Sequence, residues 1–309
     1  MKRLFYFILL LVGISTIHSC KDLLDEDGNP LNDINSNTGL NGPRALYREI
    51  TDTDTLAEYH YNGLQLTKVI TPGFDDGKKS ITDIMYSGDK VSKVTFNGHL
   101  DLDSDGNIDI DSVSYTQFFA YGPTGRLESI SENRQTFIIN VGPPPSFTLR
   151  KTKTLYILKY AASTSKLDSI IMRTGEDVTG TSFEYKNYSR TKYTYSGDNV
   201  STVTRHYGPM SGGVFAPAVS KYSYGYSNYD AKINPFTLIP FAYKISRILS
   251  TEINDSYSWI LSPNCPKRVS VTDLTQPVPV PVVFSTDYNY DPQTYMVKGF
   301  DINYIYKPL

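Results

Sequence analysis

Cysteine is nearly absent from this 309-residue chain: there are two, Cys20 and Cys265. With Cys20 used otherwise, as described below, Cys265 stands alone and no internal disulfide can form, so packing and hydrogen bonds must hold the fold. Histidine is scarce too. Beyond His18 only His60, His99 and His206 occur, scattered without the spacing of a metal site. Neither charge dominates, with 30 Lys and Arg against 32 Asp and Glu. That balance argues against nucleic acid as a partner, which would demand a basic face. The chain has no Gly-x-Ser-x-Gly elbow, no glycine-rich phosphate loop and no His-Glu-x-x-His pair. No catalytic residue and no organic cofactor can be named from such motifs. Long windows with apolar residues at i, i+3, i+4 and i+7, free of Gly and Pro, are missing as well, which speaks against a helical body.

The single long apolar run is N-terminal. Lys2 and Arg3 make a basic head, Leu4 to Ile14 is apolar but for Gly13, and Ile17-His18-Ser19-Cys20 closes the segment. A membrane helix needs ~20 mostly apolar residues, and this run is shorter. Lys21, Asp22, Asp25, Glu26 and Asp27 follow it. The layout over 1–19 is that of a secretory signal. With a cysteine at the first mature position, it resembles a bacterial lipoprotein signal. The resemblance implies that the Cys20 thiol carries a diacylglycerol and that its amine is acylated, which anchors the chain to a membrane. Lys2 and Arg3 would leave with the signal, moving the formal balance from −2 to −4. Residues 20–45 are polar and rich in Asp, Asn, Gly and Pro, the composition of a flexible tether. Lys21-Asp22 resembles the surface-export signal of Bacteroidetes-type lipoproteins. The expected address is the outer membrane, with exposure on the cell surface as the further implication.

Residues 46–309 read as one all-β domain. Tyrosine (25) far outnumbers tryptophan (1), and aromatics reach 13%. Tyr, Val, Ile and Thr favour a pleated, half-buried surface. The segments Tyr59–Val69, Met85–Val94 and Tyr193–Val203 share one pattern, Tyr-x-Gly-x-x-aliphatic-x-x-Val. Looser copies lie at Phe119-Ala120-Tyr121 with Leu127, at Leu158-Lys159-Tyr160 with Leu167, and at Tyr288-Asn289-Tyr290. Each reads as a β-hairpin: alternation puts the rings on one face, glycine supplies positive φ at the turn, and the aliphatic opens the return strand. Hairpins in series predict a large antiparallel meander, curled into a barrel-like or half-open sheet. Lys, Asp and Glu interrupt most strands, unlike a lipid-facing barrel.

Tyr121-Gly122-Pro123-Thr124-Gly125-Arg126-Leu127 resembles the tyrosine–aspartate repeat of Rhs-type proteins, with Gly122 in place of the aspartate and Tyr290-Asp291 restoring the pair. Asn228-Tyr229-Asp230-Ala231-Lys232-Ile233-Asn234-Pro235-Phe236 resembles a segment common in Bacteroidetes lipoproteins built on such repeats. That group, of no assigned function, is described as porin-like. The resemblance, over residues ~55–309, implies a curled antiparallel sheet and no catalytic residues.

The sharpest chemical pattern is Asp101-Leu102-Asp103-Ser104-Asp105-Gly106-Asn107-Ile108-Asp109-Ile110-Asp111. Acids at positions 1, 3 and 5 with Gly at 6 form the front half of a calcium loop, and position 7 offers a carbonyl. Ser112 stands where an EF-hand has its bidentate Glu, so Asp109 or Asp111 must complete the shell. The expected calcium ligands are Asp101, Asp103, Asp105 and Asp109 with the Asn107 carbonyl. The competing reading is an exposed acidic turn, with Ile108 and Ile110 starting the return strand. Cys265 reads as a buried small residue, and Pro277–Pro281 as an edge or loop.

Three functions compete. Exposed tyrosines and loops could make a non-catalytic envelope protein that binds a glycan, peptide or partner protein. A facing pair of carboxylates would make a hydrolase of an envelope polymer. A closed interior filled with the same rings would be a structural shell. Anchor, tether and abundant Tyr, without a recognisable nucleophile, favour the first.

Overall fold

Alternation of inward and outward residues builds strands over more than half of the described chain. The computed structural model describes residues 44–308 apart from 76, 104–106 and 141, and no side chains at 252–254. The signal segment, Cys20 and the tether up to residue 43 lie outside the described residues. The strands are β1 (Arg44–Ile50), β2 (Thr55–Asn62), β3 (Gln65–Pro72), β4 (Lys79–Ser87), β5 (Lys90–His99), β6 (Ser112–Tyr121), β7 (Leu127–Asn140), β8 (Ser146–Tyr160) and β9 (Leu167–Glu176). They continue with β10 (Asn187–Ser196), β11 (Asn199–Ser211), β12 (Val214–Phe215), β13 (Ser220–Tyr229), β14 (Pro266–Asp273), β15 (Val282–Ser285), β16 (Asn289–Tyr290), β17 (Met296–Gly299) and β18 (Ile302–Pro308). All belong to one large antiparallel sheet of 18 strands, as the hairpin repeats predict.

The repeat has a clear structural meaning. Gly63, Gly88 and Gly197 take φ of 57°, 64° and 57° at the hairpin tips. A bulge falls just before the repeated tyrosine in five hairpins, between His60/Tyr61, Met85/Tyr86, Ala120/Tyr121, Lys159/Tyr160 and Thr194/Tyr195. Bulges bend a strand and re-aim its side chains. Each ring here reaches back to the preceding hairpin. Tyr86 donates to Leu66 O (2.9 Å), Tyr121 to Val91 O (2.8 Å), Tyr160 to Leu127 O (2.7 Å) and Tyr195 to Leu167 O (2.9 Å). The acceptor is always the aliphatic residue that opens the earlier return strand. Tyr61 to Leu46 O (3.0 Å), Tyr229 to Val200 O (2.6 Å) and Tyr306 to Met296 O (2.6 Å) extend the ladder. Strands β2, β4, β6, β8 and β10 run toward this tyrosine end, and β1 runs away from it.

Pairing runs β16–β17–β18–β1–β2 and onward through β11, β13 and β14 to β15. The two ends of that order, β15 and β16, are joined by only Thr286–Tyr288. Four Cα steps span at most about 14 Å, so the sheet must curl until its ends meet. Among the described residues no strand pairing closes this seam, and the sheet is not a sealed barrel. Side chains bridge it instead: Phe300 N donates to Thr286 Oγ1 at 3.0 Å, and the Tyr288 and Phe300 rings lie 6.0 Å apart.

Inside the curl lies an element that the sequence did not announce, helix α1 (Phe241–Leu249) followed by a 3-10 segment (Glu252–Leu261). Ser246 Oγ donates to Gln117 on β6 (2.6 Å), Arg247 to Glu49 on β1 (2.8 Å), and Arg134 on β7 to Ser250 O (2.9 Å). Tyr226 on β13 donates to Asp255 O (2.8 Å). Strands from all round the sheet thus grip one plug. Asn234, inside the Asn228–Phe236 segment, is buried and its amide donates to the Trp259, Ser262 and Asn264 carbonyls.

Candidate functional site

The seam borders a cavity of about 650 Å³, with Leu102, Asp103, Ser220 and Phe300 of its lining at the end opposite the tyrosine turns. Strand β13 contributes Tyr222 and Tyr224, and β14 contributes Val269 and Val271. Phe284 comes from β15, Phe300 and Tyr304 from the β17–β18 hairpin, and Tyr257 and Trp259 from the plug. Arg205, Asp103, Ser220 and Ser256 supply the polar edge. A pocket of this size, mostly ring faces with a few convergent polar groups, has the character of a small-ligand site.

One wall is held in an unfavourable backbone conformation. The two-residue tip of β17–β18 has Phe300 at φ 49° and Asp301 at φ 59°. Both positions of such a turn need positive φ, which Asn and Gly supply easily and a bulky residue does not. Gly299 explains how the strand before it fits, because a Cβ there would lie 2.2 Å from the Tyr288 ring. Backbone outliers of this kind concentrate at functional sites. Phe284 is 54% exposed and Tyr257 43% exposed, so the cavity rim presents rings to solvent. The repeated tyrosines do not: they are used in packing and in the hydroxyl ladder.

The acidic loop lies against the same cavity, which Leu102 and Asp103 line. Asp101, Asp103 and Asp109 converge, each offering an oxygen within 4.8 Å of the others. Asp109 Oδ2 also accepts from Leu102 N at 2.6 Å. Asp105 lies outside the described residues, and Asn107 is exposed in the loop. Asp111 turns elsewhere and accepts from Ile139 N at 2.9 Å. Ile108 and Ile110 do not start the return strand, which begins at Ser112. His99 Nδ1 sits 3.2 Å from the Asp109 and Asp111 carbonyls.

Among the described residues the buried acids are all paired. Glu49 faces Arg247 (2.8 Å), Glu132 faces Arg134 (2.9 Å), Asp255 faces Arg205 (3.7 Å), and Asp291 faces Arg44. Cys265 is buried, and burial pushes its thiol upward, away from a nucleophilic thiolate. The plug, the strained turn and the seam were not visible in the sequence. The one available signal was Phe300-Asp301 between two short β segments, a turn without glycine.

No known protein family and no curated protein matches this sequence. Among solved structures, the chain is similar to a porin-like protein from Bacteroides vulgatus ATCC 8482, at 13% identity and a TM-score of 0.46, over 86% of this chain and 100% of that one.

Proposed function

We propose that this chain is a lipid-anchored, non-catalytic binding protein of the cell envelope, whose seam cavity takes a glycan or a short peptide. The observation that carries the reading is Phe300, held at positive φ with its ring in the cavity wall. Ring faces can stack on a sugar or peptide plane, while Arg205, Ser220 and Asp103 offer hydrogen bonds at the edge. The pairing of Glu49, Glu132, Asp255 and Asp291 with guanidinium groups supports binding over polymer hydrolysis, which needs two carboxylates facing the substrate. Exposed Phe284 and Tyr257 support binding over a purely structural shell. Glycan and peptide arrays probed with the folded protein test this. A hit should weaken at least about tenfold on Phe284→Ala with Tyr257→Ala. Silence on both arrays would overturn it, as would turnover of a polymer lost on changing one carboxylate.

The anchor is Cys20, and the outer membrane, with its surface face, is the proposed address. An N-terminal peptide without acyl mass would remove this part of the reading. We also place one calcium ion on Asp101, Asp103, Asp105 and Asp109 with the Asn107 carbonyl. The convergence of three of these carboxylates supports it, since a bound divalent cation would offset the repulsion among them. Calcium should raise the melting temperature by mass action, and Asp103→Ala with Asp105→Ala should abolish the rise. Equal melting with calcium and with chelator would leave the loop a plain turn.

A further inference from the structure

The tyrosine end carries a second concavity, and the chain enters the body there. β1 begins at Arg44, and Tyr61 at the end of β2 reaches Leu46 O, so the first strand starts beside the first hairpin tip. The hairpin tips surround a bowl of about 800 Å³. Its apolar side includes Phe241, at the start of α1, and Leu64, which is 74% exposed. Its rim carries Lys90, Arg126 and Lys166. Each cation lies over the ring of the next ladder tyrosine: Lys90 on Tyr121 (5.4 Å), Arg126 on Tyr160 (5.6 Å) and Lys166 on Tyr195 (5.4 Å). The rings hold the charged stems in a row while their own hydroxyls serve the backbone ladder. Asp89 and Asp198 share the rim, and Lys166 pairs with Asp198 at 2.8 Å. Lys90 and Arg126 therefore outnumber the remaining Asp89.

We infer that this bowl is a docking face for the headgroup layer of an anionic phospholipid membrane. Exposed apolar tips flanked by cations suit the interface, where side chains bury shallowly and basic groups meet lipid phosphates. The inference rests on the anchoring reading for its strength. Twenty-four residue steps separate Cys20 from Arg44, and no chain of that length reaches farther than about 80 Å. Tethering at such a distance gives an effective concentration near the millimolar range, so a face of modest affinity is held. The seam cavity would then open away from the lipid.

The test uses the full-length acylated protein in phosphatidylcholine vesicles, with and without phosphatidylglycerol, and a quencher on the lipid headgroups. A fluorophore is placed at Gln65→Cys beside the bowl or at Thr275→Cys at the far end; Cys265 is buried. Quenching at position 65 and not at 275, strengthened by phosphatidylglycerol, is expected. Unacylated Cys20→Ser protein should partition into phosphatidylglycerol vesicles, roughly thirtyfold more weakly with Lys90→Glu and Arg126→Glu. Leu64→Asp, on an exposed two-residue tip, serves the same comparison if that double variant fails to fold. Equal quenching at both ends, or partition indifferent to these changes, overturns the inference. If Cys20 carries no lipid in cells, the anchor falls, while the Cys20→Ser partition still decides the face.

Discussion

Phe300 holds two opposed contributions in one residue. Its positive φ costs about 1–2 kcal/mol for a residue with a Cβ, and its ring recovers a similar amount by packing on Tyr288. Phe300→Gly should therefore change stability by no more than about 1 kcal/mol while removing a wall of the cavity. Thermal melts with and without a ligand found on the arrays give the answer: the melting temperature stays, and the ligand-induced rise is lost. A retained rise would show that the ring serves the turn alone. Tyr86 is the contrasting case. Tyr86→Phe keeps the ring and deletes only the hydrogen bond to Leu66 O, so a loss of about 1 kcal/mol is expected. Urea unfolding measures it, and no change would mean that the ladder orders the turns without stabilising them. The Tyr-x-Gly-x-x-aliphatic spacing is legible because every member lies within one hairpin. The acceptor of the hydroxyl is not, because it belongs to the previous hairpin, 20 residues earlier for Tyr86.

Helix α1 shows why an element can escape a sequence reading. Nine residues are too few for a periodic signal and too few to be stable alone in water. It exists because the curl surrounds it. Arg247 is its main fastening, donating to Glu49 at 2.8 Å and to Tyr59 OH at 2.5 Å. Removing one member leaves a buried charge unpaired, so Arg247→Met should cost about 3–5 kcal/mol. Glu49→Gln with Arg247→Met should recover a large part of that loss. A double-mutant cycle by denaturant unfolding reads the coupling, and additive losses would show that the two groups stabilise the protein independently. The acidic loop lies between these extremes. Its alternating aspartates were legible as the front half of a calcium-loop pattern; that Asp101, Asp103 and Asp109 bring oxygens within 4.8 Å of one another is known only from the structure. Its placement against the seam cavity was not legible, since that depends on strands far away in the chain.

At the scale of the molecule, the tyrosine-rich interior ties folding to alkaline pH. Burial pushes the hydroxyls of Tyr121, Tyr160, Tyr195 and Tyr243 up to about 12, and those of Tyr59, Tyr193 and Tyr304 well above their usual range. An unfolded tyrosine loses its proton near pH 10. Below that value both states hold the proton and the stabilisation is fully present. Between pH 10 and about 12 the unfolded chain sheds protons that the folded chain retains, and stability falls with a slope that sums over the rings. Lys244 works in the opposite sense over an adjoining range. Burial lowers its amine to about 8, so its penalty is full below pH 8 and fades as the pH rises toward 10.5. The folded protein should thus tolerate pH 8–10 and then unfold steeply above pH 10. Tyrosinate absorbance and β-sheet circular dichroism should change together, because most rings titrate only once the curl opens. Ionisation of most of the rings near pH 10 with the sheet signal intact would mean that the ladder rings are open to solvent. Lys244→Met should raise stability at pH 7 by up to about 3 kcal/mol and by much less at pH 10, and an equal gain at both values would assign the effect to packing rather than to charge.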